Sequence, residues 1–155
     1  MVNAKDKDKI KVYIFYGDGC PHCHNAMEFF KSIEEEYGKY FELVSYETWY
    51  SSTNNKLMLS AAEALNTDTT NLGVPYIIIG DKTFLGYTES YNEDIKEAIV
   101  NAYNDDDYKD KILPLVTEMK SNFKATISLV IGACGVLSIV VIINIVLRKK
   151  YLKSN

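Results

Sequence analysis

Residues 10–24 read IKVYIFYGDGCPHCH, and the fold turns on this stretch. Ile10–Tyr16 is rich in β-branched and aromatic residues, which predicts a strand buried on both faces. Gly17-Asp18-Gly19 closes it with a turn signal. Cys20 and Pro21 follow, and proline at the first helical position is pre-organised for a helix. Ala26, Met27, Phe29, Phe30 and Ile33 then recur at helical spacing, so a helix is expected from Pro21 to near Gly38. Cys20 and Cys23 therefore fall where a buried strand hands over to a helix.

That placement has a chemical consequence. The first turn of a helix carries unpaired N–H groups and a partial positive charge, which favour a thiolate at Cys20. A cysteine three residues on can reach the first sulfur within one turn, so a disulfide opens and closes without backbone movement. His22 lies between them, where an imidazolium or a donated hydrogen bond favours the thiolate further. Two other readings use the same residues. Cys20-Pro21-His22-Cys23-His24 fits the haem attachment pattern C-x-x-C-H, with His24 as axial ligand and Met27 or Met58 as sixth ligand. Haem attachment, however, requires neither the strand before the motif nor the Val74-Pro75 strand described below. A zinc site on Cys20, Cys23 and His22 or His24 is disfavoured because ligands on one turn rarely supply four tetrahedral positions. The thiol reading calls for no cofactor and no metal.

Working outward, Phe41–Thr48 alternates as a second strand. Asn54–Leu65 is expected to be a helix with Leu57, Ala61, Ala64 and Leu65 on one face. Asn71 to Gly73 turns into Val74–Ile79, a dense apolar strand, and Gly80-Asp81 joins it to Thr83–Leu85 as a hairpin. Ser90-Tyr91-Asn92-Glu93 has the capping-box form, and Ile95, Ala98, Ile99, Ala102 and Tyr103 follow as an apolar stripe. The expected order is β-α-β-α-β-β-α over residues 10–104.

With that order, the C-P-H-C motif and Gly73-Val74-Pro75-Tyr76 at the head of the third strand, the chain resembles the thioredoxin superfamily over about residues 10–103. The resemblance implies an α/β, three-layer thioredoxin-like fold with a mixed four-stranded sheet. It also implies a cis proline at Pro75 facing the cysteines, with Val74 offering backbone hydrogen bonds to a bound peptide. Phe84-Leu85-Gly86-Tyr87 looks like the family's glycine beside the substrate groove. The implied activity is thiol–disulfide exchange, with Cys20 as nucleophile, Cys23 as resolving cysteine, Pro21 and His22 tuning them, and Val74, Pro75 and Gly86 shaping the groove. The implied substrates are protein thiols and disulfides. A redox-inactive interaction module on the same fold would need neither sulfur.

The resemblance has three departures. The C-P-H-C motif is that of DsbA-type oxidases, which carry a helical insertion between the cysteines and the cis proline. Here only 51 residues separate Cys23 from Pro75, so the scaffold is glutaredoxin-sized. The buried acid that thioredoxins keep six residues before the first cysteine is Ile14, so a proton leaving Cys23 must use water or another group. The usual tryptophan before the motif is Gly19.

The whole chain is 155 residues, 47% apolar and 25% charged, too apolar for wholesale disorder and too varied for a collagen-like or low-complexity chain. Three cysteines are too few for a disulfide-stapled mini-protein. The net charge of −4 offers no basic surface for nucleic acid, but it hides an asymmetry. Residues 1–124 carry −8, whereas the last 31 carry +4 and no acid. Residues 125–147 are 23 residues without a charge. As a helix they would span about 34 Å, enough to cross a membrane. Arg148, Lys149, Lys150 and Lys153 follow, against Lys120 and Lys124 on the other side, which places residues 148–155 in the cytoplasm as a basic tail. The thioredoxin-like part is then outside the membrane, near exported substrates and a membrane redox partner. Residues 105–124 read as a charged, solvated connector, and residues 1–9 as a mature N-terminal tail or the remnant of a signal-peptide cleavage region, since Val2-Asn3-Ala4 has the form of a signal-peptidase site. Cys134 reads as a small packing residue.

Overall fold

Strand β1 (Ile10–Tyr16) is buried along almost its whole length, and the rest of the first unit is organised around it. The structure, a computed structural model, describes residues 7–124 and residue 127. The chain divides into two compact units, Met1–Leu115 and Val116–Asn155. The second unit is helical over residues 116–124. Among the described residues no helix is long and apolar enough to cross a membrane. The segment expected to do so, 125–147, lies outside the described residues except for Ile127, as does the basic tail.

In the first unit β1 is followed by α1 (Pro21–Ser32), α2 (Glu34–Tyr37), β2 (Phe41–Glu47), α3 (Ser52–Ala64), β3 (Tyr76–Ile79), β4 (Lys82–Leu85), a 3-10 turn at Glu89–Tyr91 and α4 (Asn92–Asn104). The sheet order is β2-β1-β3-β4. β1 pairs with β2 in parallel, from Ile10 opposite Phe41 to Tyr16 opposite Glu47. β3 is antiparallel to both β1 and β4. This is the mixed four-stranded α/β sheet expected for a thioredoxin-like fold.

Side chains alternate across a strand, so β1 feeds two faces. Ile10, Val12 and Ile14 join Ala26, Phe29 and Phe30 of α1, Ile77 and Ile79 of β3, and Ile95, Ala98 and Ile99 of α4 in one core cluster. Phe30 is 1% exposed and sits between the Phe29 and Phe41 rings. Burying such a side chain stabilises the fold by roughly 1.5–3 kcal/mol. The opposite face carries Tyr13, Phe15, Tyr46 and Tyr76, linked ring to ring. The Tyr76 hydroxyl lies 2.9 Å from that of Thr67, just after α3.

Four local expectations change. The helix after Pro21 does not run to Gly38: it closes at Ile33, whose N–H bonds to the Phe29 carbonyl, and a separate turn, α2, follows. α3 starts earlier than expected because Ser51 caps it, accepting the Asn54 N–H. Its inner face is Leu57, Met58, Ala61 and Ala62, while Ala64 is exposed. The Ser90 capping box does not form: the 3-10 turn intervenes, and Ser90 bonds to the Thr88 hydroxyl instead. Residues 105–112 are also no solvated spacer. Ile112 is buried, Tyr108 packs on the core cluster, and the Asp110 carboxylate accepts the Tyr13 hydroxyl at 2.7 Å.

Candidate active site

The turn after β1 fixes the first cysteine. Gly19 adopts a φ of +78°, a left-handed conformation that a residue with a Cβ rarely takes. That reversal lets the Cys20 N–H bond back to the Gly17 carbonyl at 3.1 Å, and the chain then enters α1 with Cys20 as its N-cap. Pro21 occupies the first turn, which holds no acidic residue. No carboxylate within the helix's own first turn offsets its positive end.

Cys20 and Cys23 are joined as a disulfide with their Cα atoms 5.3 Å apart, inside the normal range for such a bridge. The Cys23 N–H points at the Cys20 sulfur at 3.2 Å. In the reduced protein that amide would face a thiolate, which combines a charge-assisted hydrogen bond with the helix end. The two sulfurs differ in access. Cys20 is 8% exposed and Cys23 1%, and both line an open cavity of about 420 Å³. Cys20 is the more accessible of the two to an incoming thiolate.

Val74-Pro75 is a cis peptide bond, as the resemblance implies. The Val74 carbonyl oxygen lies 4.0 Å from the Cys20 sulfur, so the head of β3 faces the cysteine pair across the sheet's end. Pro75 is buried and Val74 partly exposed. Gly86, at φ +75°, donates its N–H to the Pro75 carbonyl at 2.7 Å. A Cβ added at Gly86 would meet nothing within 4 Å, so this side of the groove is open. Cys20, Cys23, Val74, Pro75 and Gly86 are thus brought together from three places in the sequence.

Pro21 and His22 are exposed on the first turn. His22 lines a second cavity, between α1 and the Tyr87–Asn92 segment, together with Glu28 and Glu89. His24 lies on the other side, in the cavity that Cys20 lines. Ile14 is fully buried within the core cluster and has no proton to offer Cys23.

One neighbour of the site escaped the sequence reading. The indole of Trp49, just after β2, lies against Gly17, where an added Cβ would collide with ring atoms Cδ2 and Cε2. The signal was the parallel pairing itself. With Tyr16 opposite Glu47, the residues that follow each strand must meet, and one of them is the chain's sole tryptophan.

No family profile and no curated protein matches the chain. Among solved structures, the glutaredoxin grx-1 from Archaeoglobus fulgidus is similar at 27% sequence identity, over 57% of this chain and 84% of that one, with a TM-score of 0.40. That score is too low to carry either the fold or the chemistry, which rest on the sheet topology and the cysteine pair themselves.

Proposed function

We propose that the chain is a thiol–disulfide oxidoreductase of the thioredoxin superfamily, tethered to a membrane, that exchanges disulfides with exported proteins. The observation that carries this reading is the Cys20–Cys23 disulfide at the start of α1, facing the cis Val74-Pro75 bond. In the oxidising direction a substrate thiolate attacks the Cys20 sulfur, forming a mixed disulfide while the bond to Cys23 breaks and Cys23 leaves as a thiolate. A second substrate thiolate then attacks the substrate's sulfur and releases Cys20. Two substrate thiols become one disulfide, and the enzyme pair gains the two electrons. In the reducing direction the Cys20 thiolate attacks a substrate disulfide and Cys23 resolves the intermediate. A separate thiol or disulfide partner restores the pair after either reaction. His22 tunes the Cys20 thiolate, and the Val74, Pro75 and Gly86 backbone shapes the peptide groove.

Replacement of the resolving sulfur tests the assignment. Cys23→Ser in the full chain is expected to accumulate mixed disulfides with protein substrates through Cys20, seen as reducible adducts on non-reducing gels. Cys20→Ser is expected to form none. Adducts through Cys20→Ser and not Cys23→Ser would reverse the roles, and adducts through neither would remove the reading.

The membrane part of the proposal is supported by the uncharged run 125–147 and the basic residues after it. If residues 7–124 face outward, a membrane-impermeant maleimide labels Cys20 in whole cells after mild reduction. Labelling that appears only after lysis would put the domain in the cytoplasm.

A further inference from the structure

Among the described residues, two adjacent aromatic residues are the most exposed large apolar side chains on the first unit's surface. Trp49 is 56% exposed and Tyr50 is 82% exposed. The backbone beneath them is nevertheless held firmly. The Glu47 carboxylate accepts the Trp49 N–H at 2.7 Å and the Tyr50 N–H at 3.0 Å. Asn54 Nδ2 donates to the Glu47 carbonyl at 2.8 Å, and the Thr48 N–H and hydroxyl both bond to the Tyr16 carbonyl. A loop fixed in this way presents its rings with little backbone entropy left to lose on binding, and rigid aromatic residues are common anchors of protein recognition.

The platform is continuous with the cysteine site. The Trp49 ring lies on Gly17, whose carbonyl holds the Cys20 N–H and which lines the same cavity as Cys20 and Cys23. Charge narrows the occupant. The cavity that holds the cysteine pair and the one beside His22 are lined by Asp18, Glu28 and Glu89, together with His22 and His24 and no lysine or arginine. The acids there outnumber the two histidines, so small thiols that carry carboxylates, and anionic lipid headgroups, find no lysine or arginine to pair with. An extended polypeptide bearing an apolar side chain needs none.

We propose that Trp49 and Tyr50 form a docking platform for polypeptide substrates, receiving an aromatic or apolar side chain close in sequence to the substrate's reacting cysteine. The platform selects polypeptides over glutathione. This inference rests on the thiol–disulfide reading of Cys20.

The test uses the reduced full chain in phosphatidylcholine nanodiscs. Its oxidation is timed with three disulfides: a symmetric peptide dimer with phenylalanine two residues from the cysteine, the same dimer with serine there, and oxidised glutathione. In each reaction the Cys20 thiolate attacks the disulfide, Cys23 closes on Cys20, and two small thiols are released. The phenylalanine peptide is expected to react fastest. Tyr50→Ala and Trp49→Ala are expected to lower the peptide-to-glutathione rate ratio about tenfold, equivalent to about 1.4 kcal/mol. Trp49→Phe should retain most of the ratio, which separates docking from misfolding. A ratio unmoved by either alanine would overturn the platform and leave the cysteine reading standing. Both rates falling together in Trp49→Ala, with Tyr50→Ala silent, would reduce Trp49 to a support for Gly17 and also overturn it. Wild-type chain inert to all three disulfides would overturn the cysteine reading itself. Trp49 fluorescence quenched by brominated phosphatidylcholine, and not altered by peptide, would assign the rings to the bilayer instead.

Discussion

Replacing Cys23 by serine, in a chain that also carries Cys134→Ser, leaves Cys20 as the one thiol and keeps the amide of residue 23 that points at it. A hydrogen bond to a charged group is worth about 1.5–3 kcal/mol, and a helix end adds about 0.3–1 kcal/mol. The amide lies 3.2 Å from the sulfur and the first turn holds no acid, so both contributions apply. Burial opposes them, because Cys20 is only 8% exposed. A net thiolate stabilisation of about 2 kcal/mol is the balance, equivalent to roughly thirtyfold in the ionisation equilibrium. An ordinary thiol at pH 6.5 is only about 1% thiolate. At the same pH, Cys20 in the folded chain is expected to alkylate with iodoacetamide at about a quarter of its high-pH plateau rate. The chain unfolded in urea supplies the ordinary value. A folded rate that matches the urea rate would refute the claim that the start of α1 activates Cys20.

Phe30→Ala removes a ring from the cluster between α1 and the sheet and is expected to cost about 3–5 kcal/mol, read as a lower urea midpoint. A loss under about 1 kcal/mol would contradict the packing described. Burial, with the Asp110 carboxylate next in importance, holds the Tyr13 phenol well above its ordinary range and pushes Tyr108 up to about 12. The unfolded chain therefore ionises first, binds fewer protons than the folded one above about pH 10, and stability falls as pH rises from there to about 12. Tyr108→Phe should flatten that decline, whereas a wild-type urea midpoint constant across the interval would contradict it.

The cysteine site was legible because its signals are local. The strand, the turn, the proline and the two sulfurs lie within residues 10–24, and the structure places them as their spacing requires. Element boundaries were less legible where neighbours decide them. The long helix after Pro21 breaks at Ile33 although no proline or glycine marks the point, and Ser90 forgoes its cap for Thr88. Residues 105–112 read as solvated because their charges dominate the composition. Yet Asp110 has three donors, the Tyr13 hydroxyl and the N–H groups of Ile112 and Leu113, which bring that charged stretch down onto β1. The Trp49 contact with Gly17 depended on strand register, which periodicity alone does not supply.

The central claim is that the Cys20–Cys23 bond is a working redox pair and not a structural staple. Its midpoint potential in the full chain, read by alkylation and mass spectrometry across glutathione and dithiothreitol buffers, tests this most directly. The account predicts one reversible two-electron transition between about −270 mV, near thioredoxin, and about −120 mV, near DsbA. A value toward the upper end would make the chain a disulfide donor, and one toward the lower end a reductant that must be supplied with electrons. A disulfide that stays closed below about −300 mV, as structural bridges do, would contradict the account.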